Sequence, residues 1–352
     1  MSGETSEPGT SEPETLLSVR DLRAYFDTDD GVVRAVDGVS FEVRRGEVFA
    51  VVGESGSGKS VTATTIMGLQ PTVRIASGEV RWKGRNLLEL PEAEHGRIRG
   101  KEIAMIFQDP LTALNPVHTV GRQIGEMARI HEGASRKEAM RRAIEMLDLV
   151  GIPEAAKRAR MYPHEFSGGM RQRAMIAMAI TCRPELLIAD EPTTALDVTV
   201  QAQVLDVLMR IKDEIDSAIM LITHDLGVVA GLADRVMVMY AGRAVETGTA
   251  PQLFYRSSHP YTLGLLAGLP RLEGPQDEPL VPIAGMPPSL INVPSGCAFH
   301  PRCSFERADG LCRQSTPELR QATAAGHRSA CHELEALDGV TVESVRRAGA
   351  GR

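Results

Sequence analysis

The chain has 352 residues, 43% of them hydrophobic, with 46 acidic against 39 basic side chains and a formal net charge of −7. That length and apolar content predict one large or two smaller folded domains, and the acidic balance argues against a broad nucleic-acid-binding surface, so no nucleic acid is expected as partner. No apolar run reaches the roughly 18–20 residues of a membrane-spanning helix, no charged-then-apolar leader opens the sequence, and the default expectation is the cytoplasm, where disulfides are disfavoured.

In chain order, "MSGETSEPGTSEPET" (residues 1–15) is rich in Ser, Glu, Pro and Gly and reads as a disordered tail. "EVFAVV" (Glu47–Val52) is an apolar, β-branched run suited to a strand buried on both faces. It leads into "GESGSGKS" (Gly53–Ser60) and then into a helical stretch that stops near Gly68. From Pro110 to about Arg183 the pattern is wholly helical: Ser135 and Glu138 form a capping box, Met140, Ala143, Ile144 and Leu147 share a face, and Gly151 closes that helix. "ELLIAD" (Glu185–Asp190) and "AIMLIT" (Ala218–Thr223) are two more buried strands. Between them "VTVQAQVLDVLMRIKDEI" is apolar at helical spacing through Val200, Val204, Val207, Leu208 and Ile211. Strand, helix, strand at this rhythm predicts a parallel sheet in an α/β domain, interrupted by an all-helical insertion. After about Pro270 the chain turns irregular and Pro/Gly-rich, which marks a separate C-terminal segment.

Gly53-x4-Gly58-Lys59-Ser60 fits the phosphate-binding loop G-x4-G-K-[ST]. Its backbone N–H groups, from Gly53, Glu54, Ser55, Gly56, Ser57 and Gly58 onward, would cradle phosphates. Lys59 would reach the β- and γ-phosphates and Ser60 would hold Mg²⁺. A chance match arises in roughly one chain in a hundred of this size, but here the strand before and the helix after are also present. Asp190 ends its apolar strand, where a second metal-anchoring carboxylate belongs, and Glu191 next to it is placed to act as general base toward water. Alone, an Asp-Glu pair is as often a solvated turn. His224 ends the next strand and is the candidate γ-phosphate sensor; a lone histidine there is otherwise more often structural.

"YPHEFSGGMRQR" (Tyr162–Arg173) puts Ser-Gly-Gly at the start of a long helix, a natural anion site. A second such site in a chain that already has a phosphate loop suggests ATP held between two subunits. Here the sequence resembles the ATP-binding-cassette (ABC) ATPases, whose signature is L-S-G-G-Q. Phe166 and Met170 depart from it, while Ser167, Gly168 and Gly169 keep it. The resemblance extends to Gln108 in "MIFQDP", the glutamine loop that also touches Mg²⁺, and to "TTALD" with Asp197, the loop that crosses the dimer interface. Phe26 matches the aromatic that stacks on adenine, with Tyr25 as rival. It implies an α/β P-loop ATPase with a RecA-like core, an antiparallel β subdomain and a helical insertion. The cassette is expected over 16–265, its helical subdomain over about 110–183.

"SSHPYTLGLLAGLPRL" (Ser257–Leu272) starts like a capped helix with Pro260 in its first turn and Leu263, Leu266 and Leu269 as its stripe. It and "PPSLINVPSGCAFHPRC" (Pro287–Cys303) resemble the extension of oligopeptide, dipeptide and nickel importers, expected here over 266–335 as a small irregular, Cys-rich segment with a tail over 336–352. Four of five cysteines fall in it: Cys297, Cys303, Cys312 and Cys331. Zinc usually shows tighter pairs. Four thiolates can hold a 4Fe–4S cluster, which the resembled importers carry in this extension; zinc is the runner-up. Arg302, Arg307, Arg313 and Arg328 are expected to offset the cluster's charge, and the cluster to staple a segment unable to build its own core. Cys182 reads as a buried thiol.

The resemblance thus implies the ATP-hydrolysing subunit of a peptide importer on the cytoplasmic face of the membrane. It implies two transmembrane permease subunits, an extracytoplasmic substrate-binding protein acting indirectly, and a related but distinct second cassette making a heterodimer. Alternatives are a nickel or other small-solute importer of the same build, and a soluble cassette ATPase. The latter usually carries two cassettes or a long coiled-coil insertion, and neither appears in the sequence.

Overall fold

The structure, a computed structural model, describes residues 14–194, 196–270, 282–322 and 324–350. The expected N-terminal disorder falls almost wholly outside these residues. β1 (Thr15–Thr28) and β2 (Gly31–Arg44) form a long antiparallel hairpin with four register shifts. β3 (Val48–Val52), buried at every residue, runs through the glycine-rich loop into α1 (Lys59–Ile66). β4 (Arg74–Trp82) and β5 (Arg85–Asn86) complete a four-stranded antiparallel sheet in the order β2-β1-β4-β5.

α2 (Glu92–Ile98) and β6 (Ile103–Ile106) lead to the helical insertion: α3 (Pro110–Ala113), α4 (Val120–Glu132), α5 (Arg136–Leu149), α6 (Ala155–Arg158) and α7 (Gly168–Ile180). The Ser135–Glu138 capping box opens α5 as expected, and the face through Ala143 and Leu147 is buried. Then come β7 (Leu186–Asp190), α8 (Val198–Ile215), β8 (Ala218–Thr223), α9 (Leu226–Leu232), β9 (Arg235–Tyr240) and β10 (Arg243–Thr249). Strands β9, β3, β8, β7 and β6 are parallel neighbours. Helices cover one of their faces, and α1 with the antiparallel sheet covers the other, which is why they read as unbroken apolar runs and not as alternating ones.

α10 (Ala250–Arg256) and α11 (Pro260–Ala267) follow, then α12 (Leu311–Gln314), β11 (Arg320–Gln321), β12 (Arg328–Ser329) and α13 (Val342–Ala350). Here the segment expected to lack a core of its own lies packed on the cassette. β12 pairs with β10, Glu246 opposite Ser329, so the large sheet has eight strands in the order β11-β12-β10-β9-β3-β8-β7-β6. Phe299 packs with Tyr240 and Tyr261, and Leu337 and Cys331 pack on Leu263. The segment therefore borrows its core from the cassette. The expected tail beyond 335 contains α13, which lies on α11, where Arg346 donates to the carbonyls of Leu266, Ala267 and Leu269. These are the acceptors a helix end leaves unpaired. Beneath β12, the fully buried Glu246 accepts from Ser257 Oγ (2.9 Å) and His327 Nε2 (2.8 Å).

His259 caps α11, its Nδ1 accepting from Tyr261 N–H at 3.1 Å. Burial lowers its pKa from 6.5 to about 4, against the opposing pull of Glu246 and a backbone bond to Ala330. A folded value below the unfolded one means this stabilisation is complete above pH 6.5 and is lost as pH falls toward about 4. The melting temperature should fall over that window, and His259→Asn, which keeps the cap acceptor but cannot ionise, should flatten the fall. An identical pH profile in the variant would assign the loss to other groups.

Candidate functional site

The glycine-rich loop, β7 and β8 end at one side of the parallel sheet, where helix N-termini and strand C-termini meet. There a cavity of about 660 Å³ is lined by residues 53–61, Gln108, Glu191, His224, Leu265 and Pro287. The loop's shape depends on glycine. Gly58 has φ +101°, and a Cβ on it would stand 2.1 Å from Ala35 O; one on Gly53 would stand 2.3 Å from Met239 O. Any side chain at either position collides with backbone.

Lys59 is buried, its Nζ donating to Gly53 O (2.8 Å) and Glu54 O (3.0 Å), with Glu191 Oε1 at 4.0 Å. Burial lowers its pKa, opposed by Glu191, Asp190 and Glu54. Ser60 Oγ donates to Asp190 Oδ1 at 2.9 Å. Burial raises the Asp190 pKa; the Ser60 bond and Lys59 oppose this and Glu191 adds to it. Both groups are thus pushed toward their neutral forms. A phosphate beside Lys59 and a dication beside Asp190 would reverse both pressures, so the residues fit a magnesium–triphosphate. Ser60, Asp190 and Gln108 carry hard oxygen atoms of the kind that Mg²⁺ takes.

Glu191, directly after β7, has φ +46°, a conformation that non-glycine residues hold only under constraint. Its Oε2 accepts from Gln108 Nε2 (3.1 Å) and Thr194 Oγ1 (2.9 Å), and lies 3.5 Å from His224 Nδ1. The predicted base, glutamine and histidine therefore meet at one carboxylate, with Thr194 an additional holder that the sequence alone did not mark.

The remaining expected residues lie apart from this cavity. Phe26 sits partly buried on β1 opposite Val33. Its rival Tyr25 is engaged elsewhere, donating to Asp37 Oδ1 at 2.7 Å with the Arg74 guanidinium over its ring. Ser167 caps α7, accepting from Met170 N, and is exposed; a Cβ on Gly168 would meet open space, while one on Gly169 would stand 2.7 Å from Val200. Phe166 is buried and Met170 packs on the same core, so both departures from the signature lie on the packing side. Asp197 caps α8 through Val200 N.

Cys297, Cys303, Cys312 and Cys331 line one small cavity with Phe299, Phe305 and His259. Among the described residues no group of three or more His, Cys, Asp or Glu side chains is arranged to hold a metal ion. Burial pushes the Cys303 thiol up to about 12 and Cys331 to about 11. The arginines expected to balance a cluster have other partners: Arg302 pairs with Glu54, Arg307 with Asp309 and Glu333, Arg313 with Glu306, and Arg328 donates to Leu319 O. Cys182 is a buried thiol, raised by burial to about 11.

Residues 36–194 match the family described as ABC transporter, and residues 245–312 match the oligopeptide/dipeptide transporter C-terminal region. The oligopeptide transport ATP-binding protein OppD of Salmonella typhimurium is 52% identical over 329 residues, 93% of this chain and 97% of the relative. The chain belongs to the ABC transporter family. The dipeptide transport ATP-binding protein DppD of Bacillus subtilis is 53% identical over 292 residues, 82% of this chain and 87% of the relative. Among solved structures, the ATP-binding cassette MJ0796, a dimer in a post-hydrolysis state bound to ADP and Pi, superposes with TM-score 0.61 at 26% identity, covering 67% of this chain and 99% of that one. As an ABC ATPase the chain uses ATP and Mg²⁺. No helix among the described residues is long and apolar enough to cross a membrane.

Proposed function

We propose that this ABC ATPase powers the import of oligopeptides or dipeptides from the cytoplasmic face of a membrane. The observation that carries this reading is the joining of a complete phosphate site to an oligopeptide/dipeptide transporter C-terminal region, in relatives whose names specify peptide transport. The loop from Gly53 to Ser60 binds the phosphates and Phe26 stacks on the adenine. Ser60, Gln108 and Asp190 hold Mg²⁺, whose charge neutralises the phosphates when bound. Glu191 takes the proton of the attacking water and His224 contacts the γ-phosphate. Ser167, Gly168 and Gly169 serve the ATP of a second cassette; the exposure of Ser167 and the open space over Gly168 support this. Asp197 lies on the loop that crosses between the two.

The second cassette is a related, distinct chain, and two permease subunits receive the motion while an extracytoplasmic protein delivers the substrate. The cysteines hold a structural 4Fe–4S cluster. Four soft cysteine sulfurs lining one cavity support this. The cavity holds only about 10 Å³, so the thiols must move apart to admit the cluster.

One purification tests these statements. Anaerobically isolated transporter should be brown, contain about four irons per chain, include a second distinct cassette, and hydrolyse ATP faster when peptide-loaded binding protein is added. Peptide-indifferent turnover would remove the substrate reading. Two copies of this chain alone would remove the heterodimer, and one zinc without iron the cluster.

A further inference from the structure

The phosphate loop is gripped from the far end of the chain. Glu54, its second residue, is held at two points by the C-terminal segment, here the matched region 245–312. Its backbone N–H donates to Tyr261 Oη at 2.9 Å. Its carboxylate takes a bidentate bond from Arg302, Nη1 to Oε2 at 2.7 Å and Nη2 to Oε1 at 3.0 Å. Paired, parallel N–H···O bonds of this kind fix orientation as well as distance.

Arg302 is itself immobilised. Only 4% of its side chain is exposed, its Nε donates to Ala284 O at 3.0 Å, and the guanidinium lies against the rings of Tyr240 and Phe299. Those rings pack with Tyr261, so both contacts to Glu54 rise from one aromatic cluster. Arg302 also sits on a turn pinned by hydrogen bonds from His300 N to Cys297 O and from Cys303 N to His300 O. The same Glu54 offers its carbonyl to Lys59 Nζ at 3.0 Å. A shift of Glu54 therefore moves an acceptor of the lysine that faces the phosphates.

We propose that Arg302 and Tyr261 are positioning residues for ATP binding, a clamp by which the C-terminal segment keeps the phosphate loop in its binding conformation. This rests on the assignment of residues 53–60 as the phosphate loop. A loop that spends only part of its time in the competent shape binds more weakly by that fraction, yet reacts normally once ATP saturates it. The expected signature is a change in KM for ATP without a matching change in kcat.

The test uses the assembled transporter. Arg302→Met should raise KM for ATP about tenfold, less than for a fully buried pair because Glu54 is partly solvated, and keep kcat within about twofold. Tyr261→Phe should raise KM about threefold. The double variant Glu54→Gln/Arg302→Met should be no worse than Arg302→Met alone, because both changes remove one interaction. A merely structural arginine would lower the melting temperature without this KM shift or this non-additivity. Unchanged KM in Arg302→Met and Tyr261→Phe overturns the clamp. Should Arg302→Met not assemble, Glu54→Gln, which leaves Arg302 in place, decides: a raised KM supports the clamp and an unchanged one overturns it. Lys59→Met separates the two readings. If it too leaves ATP binding intact, the phosphate-loop assignment has failed; if it abolishes binding while the clamp variants do not alter KM, only the clamp has failed.

Discussion

Glu191→Gln should cut ATP turnover at its own site by about 10²–10⁴-fold while ATP still binds. The carboxylate is already in place, held by Thr194 and Gln108 on a strained backbone and facing His224. Glutamine keeps the size and hydrogen-bonding reach of the side chain but its amide cannot accept the water's proton. With chemistry stopped and binding preserved, the ATP-bound closed assembly should accumulate. Single-turnover hydrolysis in the assembled transporter, with the second cassette's site inactivated, is the measurement. Turnover near that of the parent protein would remove Glu191 as the base.

The second large effect is expected at Lys59. Replacing it with methionine should weaken ATP binding by about 100-fold or more, the cost of removing a buried cation from beside a polyanion. The ligand-free protein should behave differently. Burial already penalises the Lys59 ammonium, and its closest acceptors are carbonyl oxygens, with the nearest carboxylate oxygen at 4.0 Å. Methionine of similar length removes that penalty, so the melting temperature without nucleotide should hold or rise. The increase that ATP normally gives, RT ln(1 + [L]/Kd), should vanish. A parent-like ATP-induced shift in the variant would show that Lys59 does not face the phosphates.

Much of this site was legible because its parts are local. The buried strand, the glycine loop and α1 follow one another, and α8 spans the residues its 3.6-residue period marks, Val198–Ile215. Asp190, Glu191 and His224 could be placed because each closes or follows a short apolar strand whose end faces the same side of the sheet. The hairpin of β1 and β2 was not legible from periodicity, since repeated register shifts break the alternation that identifies a half-buried strand. The grip on Glu54 was invisible for a different reason. Arg302 lies 248 residues away in sequence, and its local setting among cysteines suggested a cluster's counter-charge. The C-terminal segment read as irregular because its strands are two residues long and acquire order only against β10.

That last pairing decides where the molecule can be divided. A cassette ending at residue 270 would leave Val245–Thr247 of β10 without the partner that β12 supplies, exposing backbone donors and acceptors of the kind that recruit a strand from another chain. It would also strip His327 from a carboxylate that is fully enclosed in the intact chain. The ATPase unit, though it superposes on a solved cassette over 67% of this chain, is therefore expected to lose stability when it is excised. Shortened forms are expected to aggregate as they fold, and insertions or fusions should avoid the stretch around residue 270, which lies inside the second matched region.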